Sequence, residues 1–237
     1  MFFSLMTPDP AHLRDAAHQQ AYGSGHAPVD AYADHQWMWR LFPSPAGTPR
    51  DFLFRRDLQA GLPRYYVVSK REPQAQDSAW RVQAQPYAPR LQAGMRLRFD
   101  LRANPVVAGH NEQGKHVRHD VVMQAKTKLL RERGLKHWND WQGVDKPALQ
   151  DLIFSACAAW LTAQAVRNGF EVMADSLSVD AYTQHRGRKS EIQFSTVDFG
   201  GELVVRDAGR LVEALCSGVG RAKAFGCGLL LVRPVGE

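Results

Sequence analysis

The chain has 237 residues, room for one large domain or two small ones, and an apolar fraction of 44% excludes a chain disordered by composition. Three cysteines are too few for a disulfide framework, and residues 156–161, the longest apolar run, are far too short for a membrane span. The net charge is +6, and with no basic flank or cleavage pattern in the opening MFFSLM the expectation is a basic, cytoplasmic protein.

The first predicted element is a strand over residues 2–6, followed by a polar excursion over 7–29 with Pro, Gly and Ser. Asp30 is placed to N-cap a helix that runs to about Phe42 and stops at Pro43. Residues 51–56 and 64–70 read as a strand pair, and 80–87 as another strand. Residues 87–94 read as a boundary. Met95, Leu97, Phe99 and Leu101 then alternate with Arg96, Arg98, Asp100 and Arg102, a strand with one polar face. Residues 115–133 read as a basic, partly helical connection. A long helix is expected after a cap at Asp145, with Pro147 in its first turn and Gly169 closing it. Its expected buried stripe is Leu149, Leu152, Ile153, Ala156, Trp160 and Ala163. Residues 170–182 and 191–199 read as a hairpin, 203–206 as a short strand, 207–216 as a helix and 228–233 as the last strand. Each half thus approximates β-α-β-β-α-β, with the second helix of the first half missing or very short. The expected fold class is α+β: two tandem ferredoxin-like domains, residues 1–90 and 95–237.

The positive charge is concentrated. Eleven basic residues and four acids between Arg90 and Lys136 leave that stretch at +7, against +6 for the whole chain. Such a surplus is the footprint of a polyanion binder. The expected turn at His185-Arg186-Gly187-Arg188-Lys189 adds to it. Near the end, Gly218-Val-Gly220-Arg-Ala-Lys-Ala-Phe-Gly226-Cys-Gly228 sets Arg221 and Lys223 between two Gly-x-Gly pairs. Glycines allow close approach of backbone to phosphate, and the two cations supply charge. It is neither a Walker loop nor a dinucleotide fingerprint, since no Gly-Lys-Ser/Thr follows and the strand comes after the loop.

This loop resembles the glycine signature of the CRISPR-associated repeat RNA-processing superfamily. With Trp39-Arg-Leu-Phe-Pro43, Arg50-Asp-Phe-Leu-Phe54 and Leu101-Arg-Ala-Asn-Pro105 in the same order, the chain resembles the CasE family of type I-E Cascade endoribonucleases. The resemblance implies a metal-independent endoribonuclease that cuts CRISPR repeat RNA at its stem-loop, keeps the 3′ hairpin of its product and joins the other Cascade subunits. An alternative is a non-catalytic RNA-binding subunit of the same machinery.

Tyr32, His35 and Trp39 share one helix face, while Trp37, Met38, Leu41 and Phe42 lie mostly on the other. A histidine titrates near neutrality and suits proton transfer. The resemblance implies that His35 is the catalytic residue and Tyr32 its partner. Because the ribose 2′-OH is a built-in nucleophile, no metal or cofactor is expected, and the ends would be a 5′-OH and a 2′,3′-cyclic phosphate or 3′-phosphate. His12, His18, Tyr22 and His26 are kept out of the catalytic set. The expected RNA-binding set is Arg186, Arg188 and Lys189 on the hairpin turn, Gly218, Gly220, Arg221, Lys223, Gly226 and Gly228 in the loop, and Arg96, Arg98, Arg102 and Arg118. His116-x-x-His119, with His110 and Asp120 near, reads as a polar loop, and Cys157, Cys216 and Cys227 as small apolar fillers.

Overall fold

The computed structural model describes residues 1–20, 31–75, 79–110, 113–186 and 193–236; the side chains of residues 17–20, 31, 32, 110, 116 and 186 also lie outside the description. The first half opens with β1 (Phe2–Pro8), then a short 3-10 turn and α1 (Leu13–Gln20). It continues with α2 (Ala31–Arg40), β2 (Phe52–Gln59), β3 (Leu62–Ser69) and β4 (Trp80–Pro86). The strands lie in the order β2-β3-β1-β4, every neighbouring pair antiparallel. That is the order of a ferredoxin-like sheet. Between β3 and β4 there is no helix among the described residues.

The described part of the expected excursion, residues 7–20, is more structured than its composition suggests. Asp9 accepts from the Ala11 amide at 2.9 Å and starts the turn that leads into α1. Ala16 of α1 is fully buried and joins the core beside α2. A single small residue at the contact lets two helices approach, a signal too sparse for periodicity to detect. Asp30, the expected cap of α2, lies outside the described residues. On α2 the expected inner face holds: Trp37, Met38, Leu41 and Phe42 are all buried, against Phe52, Phe54 and Tyr65. Fully burying a side chain of this size contributes about 1.5–3 kcal/mol.

The second half contains β5 (Arg96–Ala103), a hairpin of β6 (Val106–His110) and β7 (His116–Asp120), then α3 (Val121–Glu132) and α4 (Leu149–Arg167). It ends with β8 (Phe170–Val172), β9 (Ser178–Arg186), β10 (Gln193–Val205), α5 (Ala208–Ser217) and β11 (Leu230–Pro234). The sheet order is β11-β5-β10-β8, with β9 also paired to β10. The core lies between this sheet and α4 and α5, and Leu97, Phe99, Leu101 and Ala103 of β5 point into it.

Four expectations change here. The connection over 115–133 contains the β6–β7 hairpin, and Asp120 both ends β7 and caps α3, accepting from Val122 and Met123 amides at 2.8 and 2.9 Å. Residues 203–206 are not a separate strand; Leu203–Val205 form the end of the long β10 and pair with β8. Asp145 does not cap α4: it accepts from Trp141 Nε1 at 3.1 Å and pairs with Arg133 at 2.6 Å. A residue before proline avoids helical geometry, so Lys146 keeps the helix from starting until Leu149. Finally, the buried stripe of α4 is Cys157, Trp160, Leu161 and Ala165, whereas Leu149 is 43% exposed. The helix is apolar on every side, so its spacing admits more than one stripe. Gly169 does close it, with φ at +75°.

The two sheets are fastened face to face. Leu53, Val68 and Leu229 form a small core between them, with Phe3, Tyr66, Tyr87 and Leu231 packed around it. Arg55 of β2 reaches Asp100 of β5 at 2.6 Å, and Arg102 donates to the Arg56 carbonyl at 3.3 Å.

Candidate active site

The loop between α5 and β11 is pinned at its neck. The Gly218 amide donates to the Ala214 carbonyl at 2.8 Å, Val219 to Gly228 at 2.8 Å, and Gly228 to Arg102 on β5 at 2.7 Å. Gly228 has φ +88°, and a Cβ there would lie 2.7 Å from the Val219 carbonyl oxygen. Gly226, at φ +77°, faces the buried Phe54 ring of the first half, 3.3 Å from where its Cβ would be. Gly228 therefore serves close packing within the loop, and Gly226 close packing between the halves. The neck pushes the middle of the loop, a 3-10 turn over Lys223–Phe225, against α2 and β2.

That contact brings His35 into the site. Its imidazole is half-buried, 6.0 Å from the Phe225 ring and 6.3 Å from that of Trp39. Burial and the Arg50 charge hold its pKa below the usual histidine value, against an opposing hydrogen bond with the Ala224 backbone. Asp34, the next residue back, is turned away and buried, accepting from Tyr65 Oη at 2.5 Å and lying 3.8 Å from Arg56. The Lys223 pKa is also lowered, by burial and then by Arg50; its Nζ donates to the Ser217 carbonyl at 2.7 Å. Phe225 continues the aromatic contact into the second half: it stacks on Phe194 at 5.0 Å, and Phe194 stacks on His185 at 4.7 Å. A column of half-exposed rings thus runs from His35 to the far end of the described β9–β10 pairing.

The whole chain can now be compared with known proteins. A family model described as CRISPR associated protein matches residues 1–234. The chain belongs to this family. This CRISPR-associated chain is 28% identical over 209 residues to the CRISPR system Cascade subunit CasE of Escherichia coli (strain K12), across 87% of this chain and 93% of that protein. Its fold matches the CRISPR endoribonuclease Cse3 bound to a 19-nucleotide RNA, with a TM-score of 0.64 and 26% identity, covering 98% of this chain and 99% of that one. It also matches Thermus thermophilus Cse3 bound to an RNA representing a pre-cleavage complex, with a TM-score of 0.67, 25% identity and 98% of each chain covered. Among its relatives it sides with the CasE branch, and the two ferredoxin-like sheets are those of that fold.

The other expected site residues of this CRISPR-associated chain fall in different places. Tyr32 is on α2 but its side chain is outside the described residues, as are the Arg186 side chain, Arg188 and Lys189. Arg96, Arg98 and Arg102 share the β5 face that looks toward the first sheet. Arg96 pairs with Glu202 at 2.8 Å, and Arg102 is held by both oxygens of Asp198 at 2.7 Å. Arg98 lines a cleft of about 880 Å³ between the sheets. Arg96 and Arg98 are not gathered with the loop, whereas the Arg102 carbonyl holds its neck through the Gly228 amide.

Arg118 and Arg221 instead line a groove of about 1910 Å³ on the opposite side, shared with Lys128 and Arg131 of α3 and Arg167 of α4. His119 and Asp120 border it too, but the Asp120 carboxylate is already engaged by the α3 amides, Tyr182 and Ser195. Cys157 and Cys227 are buried and Cys216 half-buried. Among the described residues no three His, Cys, Asp or Glu groups are placed to hold a metal ion, and no helix is long and apolar enough to cross a membrane.

Sequence reasoning passed over Arg50, Phe194 and Phe225. Arg50 stands at the head of the block Arg50-Asp-Phe-Leu-Phe54, and its position just before a buried strand was the available signal.

Proposed function

We propose that this chain is a metal-independent endoribonuclease that cleaves CRISPR repeat RNA at its stem-loop, remains on the 3′ hairpin and serves as a Cascade subunit in the cytoplasm. One observation carries the reading: His35, from the first half, is held against the cationic loop of the second. Its relatives are a Cascade subunit and an endoribonuclease bound to RNA. Residues 1–90 and 95–237 act as two ferredoxin-like units with the RNA lying across both.

The chemistry is a transesterification. The 2′-O–H bond breaks and 2′-O–P forms, while P–5′-O breaks and the 5′-oxygen receives a proton. The ends are a 2′,3′-cyclic phosphate and a 5′-OH. His35, kept neutral by burial, takes the 2′-OH proton, a contribution of about 10²–10⁴-fold. Tyr32, one helical turn earlier, is assigned to the ribose or leaving oxygen. Arg186, Arg188 and Lys189 on the hairpin end are assigned to the RNA stem, with the loop residues and Arg118 toward its phosphates. The deep, narrow major groove of A-form RNA hinders readout by side chains, and a thin cationic hairpin can still reach into a stem near its end.

The test is repeat-hairpin RNA with excess protein in EDTA, beside His35→Ala. Cleavage by the parent chain and binding without cleavage by the variant are expected. Cleavage that needs a divalent ion, or that persists with a 2′-deoxy residue at the cut, overturns the mechanism.

A further inference from the structure

Arg50 is a cation of the His35 site with buried donors that the described residues leave unsatisfied. Its neighbour Asp51 is bound to Arg71 at 2.6 Å, yet Arg50 itself makes no ion pair among the described residues. Its Nε and Nη1 are buried, and among the described residues they meet no hydrogen-bond acceptor. The guanidinium carbon lies 5.9 Å from the Phe52 ring centroid, and Phe52 in turn packs edge-on against Trp39 at 5.1 Å. The Arg50 charge acts on both His35 and Lys223.

Burying guanidinium donors without partners costs free energy, and gathering like charges adds to that cost. Here burial holds the Arg50 pKa below its usual value, and no carboxylate among the described residues pairs with it. The nearest acid on the helix, Asp34, is committed to Tyr65 and Arg56. A fold keeps such an arrangement where an anion completes it. The group must be planar-forked and permanently charged to bind two oxygens of one phosphate, which an arginine is and a lysine is not.

We infer that Arg50 is a further catalytic residue, whose guanidinium donates to the non-bridging oxygens of the scissile phosphate while Lys223 flanks the same group. This rests on His35 being the proton acceptor described above. As the 2′-oxygen adds to phosphorus, negative charge grows on those oxygens, and donors already in place stabilise it without reorganisation. The arrangement also couples the two groups. In the free chain the Arg50 charge discourages protonation of His35, keeping it able to accept a proton. Once the phosphate binds, its charge offsets that of Arg50, so the imidazolium formed in the reaction is less disfavoured.

The experiment compares the parent chain, Arg50→Gln, Arg50→Lys and His35→Ala on repeat-hairpin RNA in EDTA. Affinity is measured separately with a 2′-deoxy substituted hairpin. Arg50→Gln is expected to lower the single-turnover rate by about 10²–10³-fold while affinity changes far less. With sulfur replacing either non-bridging oxygen of the scissile phosphate, the parent should prefer one diastereomer and Arg50→Gln neither. The acid limb of kcat/KM should move to higher pH in Arg50→Gln, because removing a positive charge eases protonation of His35. A merely structural arginine would produce neither of these last two changes. If Arg50→Gln melts early, Arg50→Lys decides. It keeps the charge and loses the fork, so loss of the diastereomer preference supports the contact and retention overturns it. Parental rate and preference in Arg50→Gln, beside an inactive His35→Ala, overturn the inference alone. Parental cleavage by His35→Ala overturns the reading on which it rests.

Discussion

The rings of His35 and Phe225 lie 6.0 Å apart, although one belongs to a helix on the first sheet and the other to the last loop on the second. Neither half has the site by itself. The helix supplies the imidazole, and the loop supplies its wall, the Ala224 backbone and Lys223. Relative placement of the two halves is therefore part of the proposed catalytic geometry.

Phe225 should accordingly matter for rate more than for binding. Phe225→Ala removes the wall between His35 and the Phe194 stack and lets the imidazole turn. A misplacement of about 1 Å costs about 10²-fold, so a single-turnover rate about 10–100-fold lower is expected, with the fold intact. Phe225→Leu, which restores bulk without the flat ring, should recover part of it. An unchanged rate in Phe225→Ala would show that the loop wall does not position His35.

The pH dependence follows from the lowered pKa of His35, set first by burial and then by Arg50. The neutral form accepts the proton, so the cleavage rate should be insensitive to His35 near pH 7 and fall only at a pH below the ordinary histidine value of about 6.5. Stability should move in the same direction. The folded pKa is below the unfolded one, so between them the unfolded chain binds more protons and stability falls as pH falls. His185, lowered by burial and by Arg102, adds to this in the same window. Chemical denaturation at a series of pH values, repeated on His35→Gln, should show a smaller acid loss in the variant.

The glycines of the last loop should be sensitive for packing reasons. Gly228→Ala combines left-handed backbone with a Cβ 2.7 Å from a carbonyl oxygen that is itself hydrogen-bonded in the neck. A loss of about 3 kcal/mol or more is expected in urea unfolding. Gly61→Ala, at φ +78° but in open space, should cost only about 1–2 kcal/mol. Similar losses at both sites would mean that backbone conformation alone explains the glycines.

Much of this was legible in the residues because local patterns carried it. The alternation of β5 placed Leu97, Phe99 and Leu101 inward, and the inner face of α2 held residue by residue. What escaped was information that exists only after folding. The same alternation that buried Leu97 turned Arg96, Arg98 and Arg102 toward the first sheet, where Glu202 and Asp198 hold two of them. Spacing along the chain does not say which acid will lie opposite an arginine. Arg50 escaped for the converse reason: one arginine before a strand is ordinary until its surroundings are known to lack acceptors.

Charge was correctly located in the stretch from Arg90 to Lys136, but its members divide between two faces, and the division can be tested. Lys128 and Arg131 line the groove beside α4 with Arg118, Arg167 and Arg221, and the Lys128 side chain is 78% exposed. Cations this exposed in a groove are suited to phosphates, and each phosphate contact releases counterions, giving a slope of about −0.7 to −0.9 in log affinity against log salt. Lys128→Glu with Arg131→Glu should therefore weaken hairpin binding and flatten the slope by about 1.5, leaving the rate on saturated complex unchanged. Arg96→Ala and Arg98→Ala, on the inner face of β5, should leave the slope alone. If instead the slope responds to Arg96 and Arg98 and not to Lys128 and Arg131, the RNA follows the cleft between the sheets, and the groove beside α4 is an ordinary solvated surface.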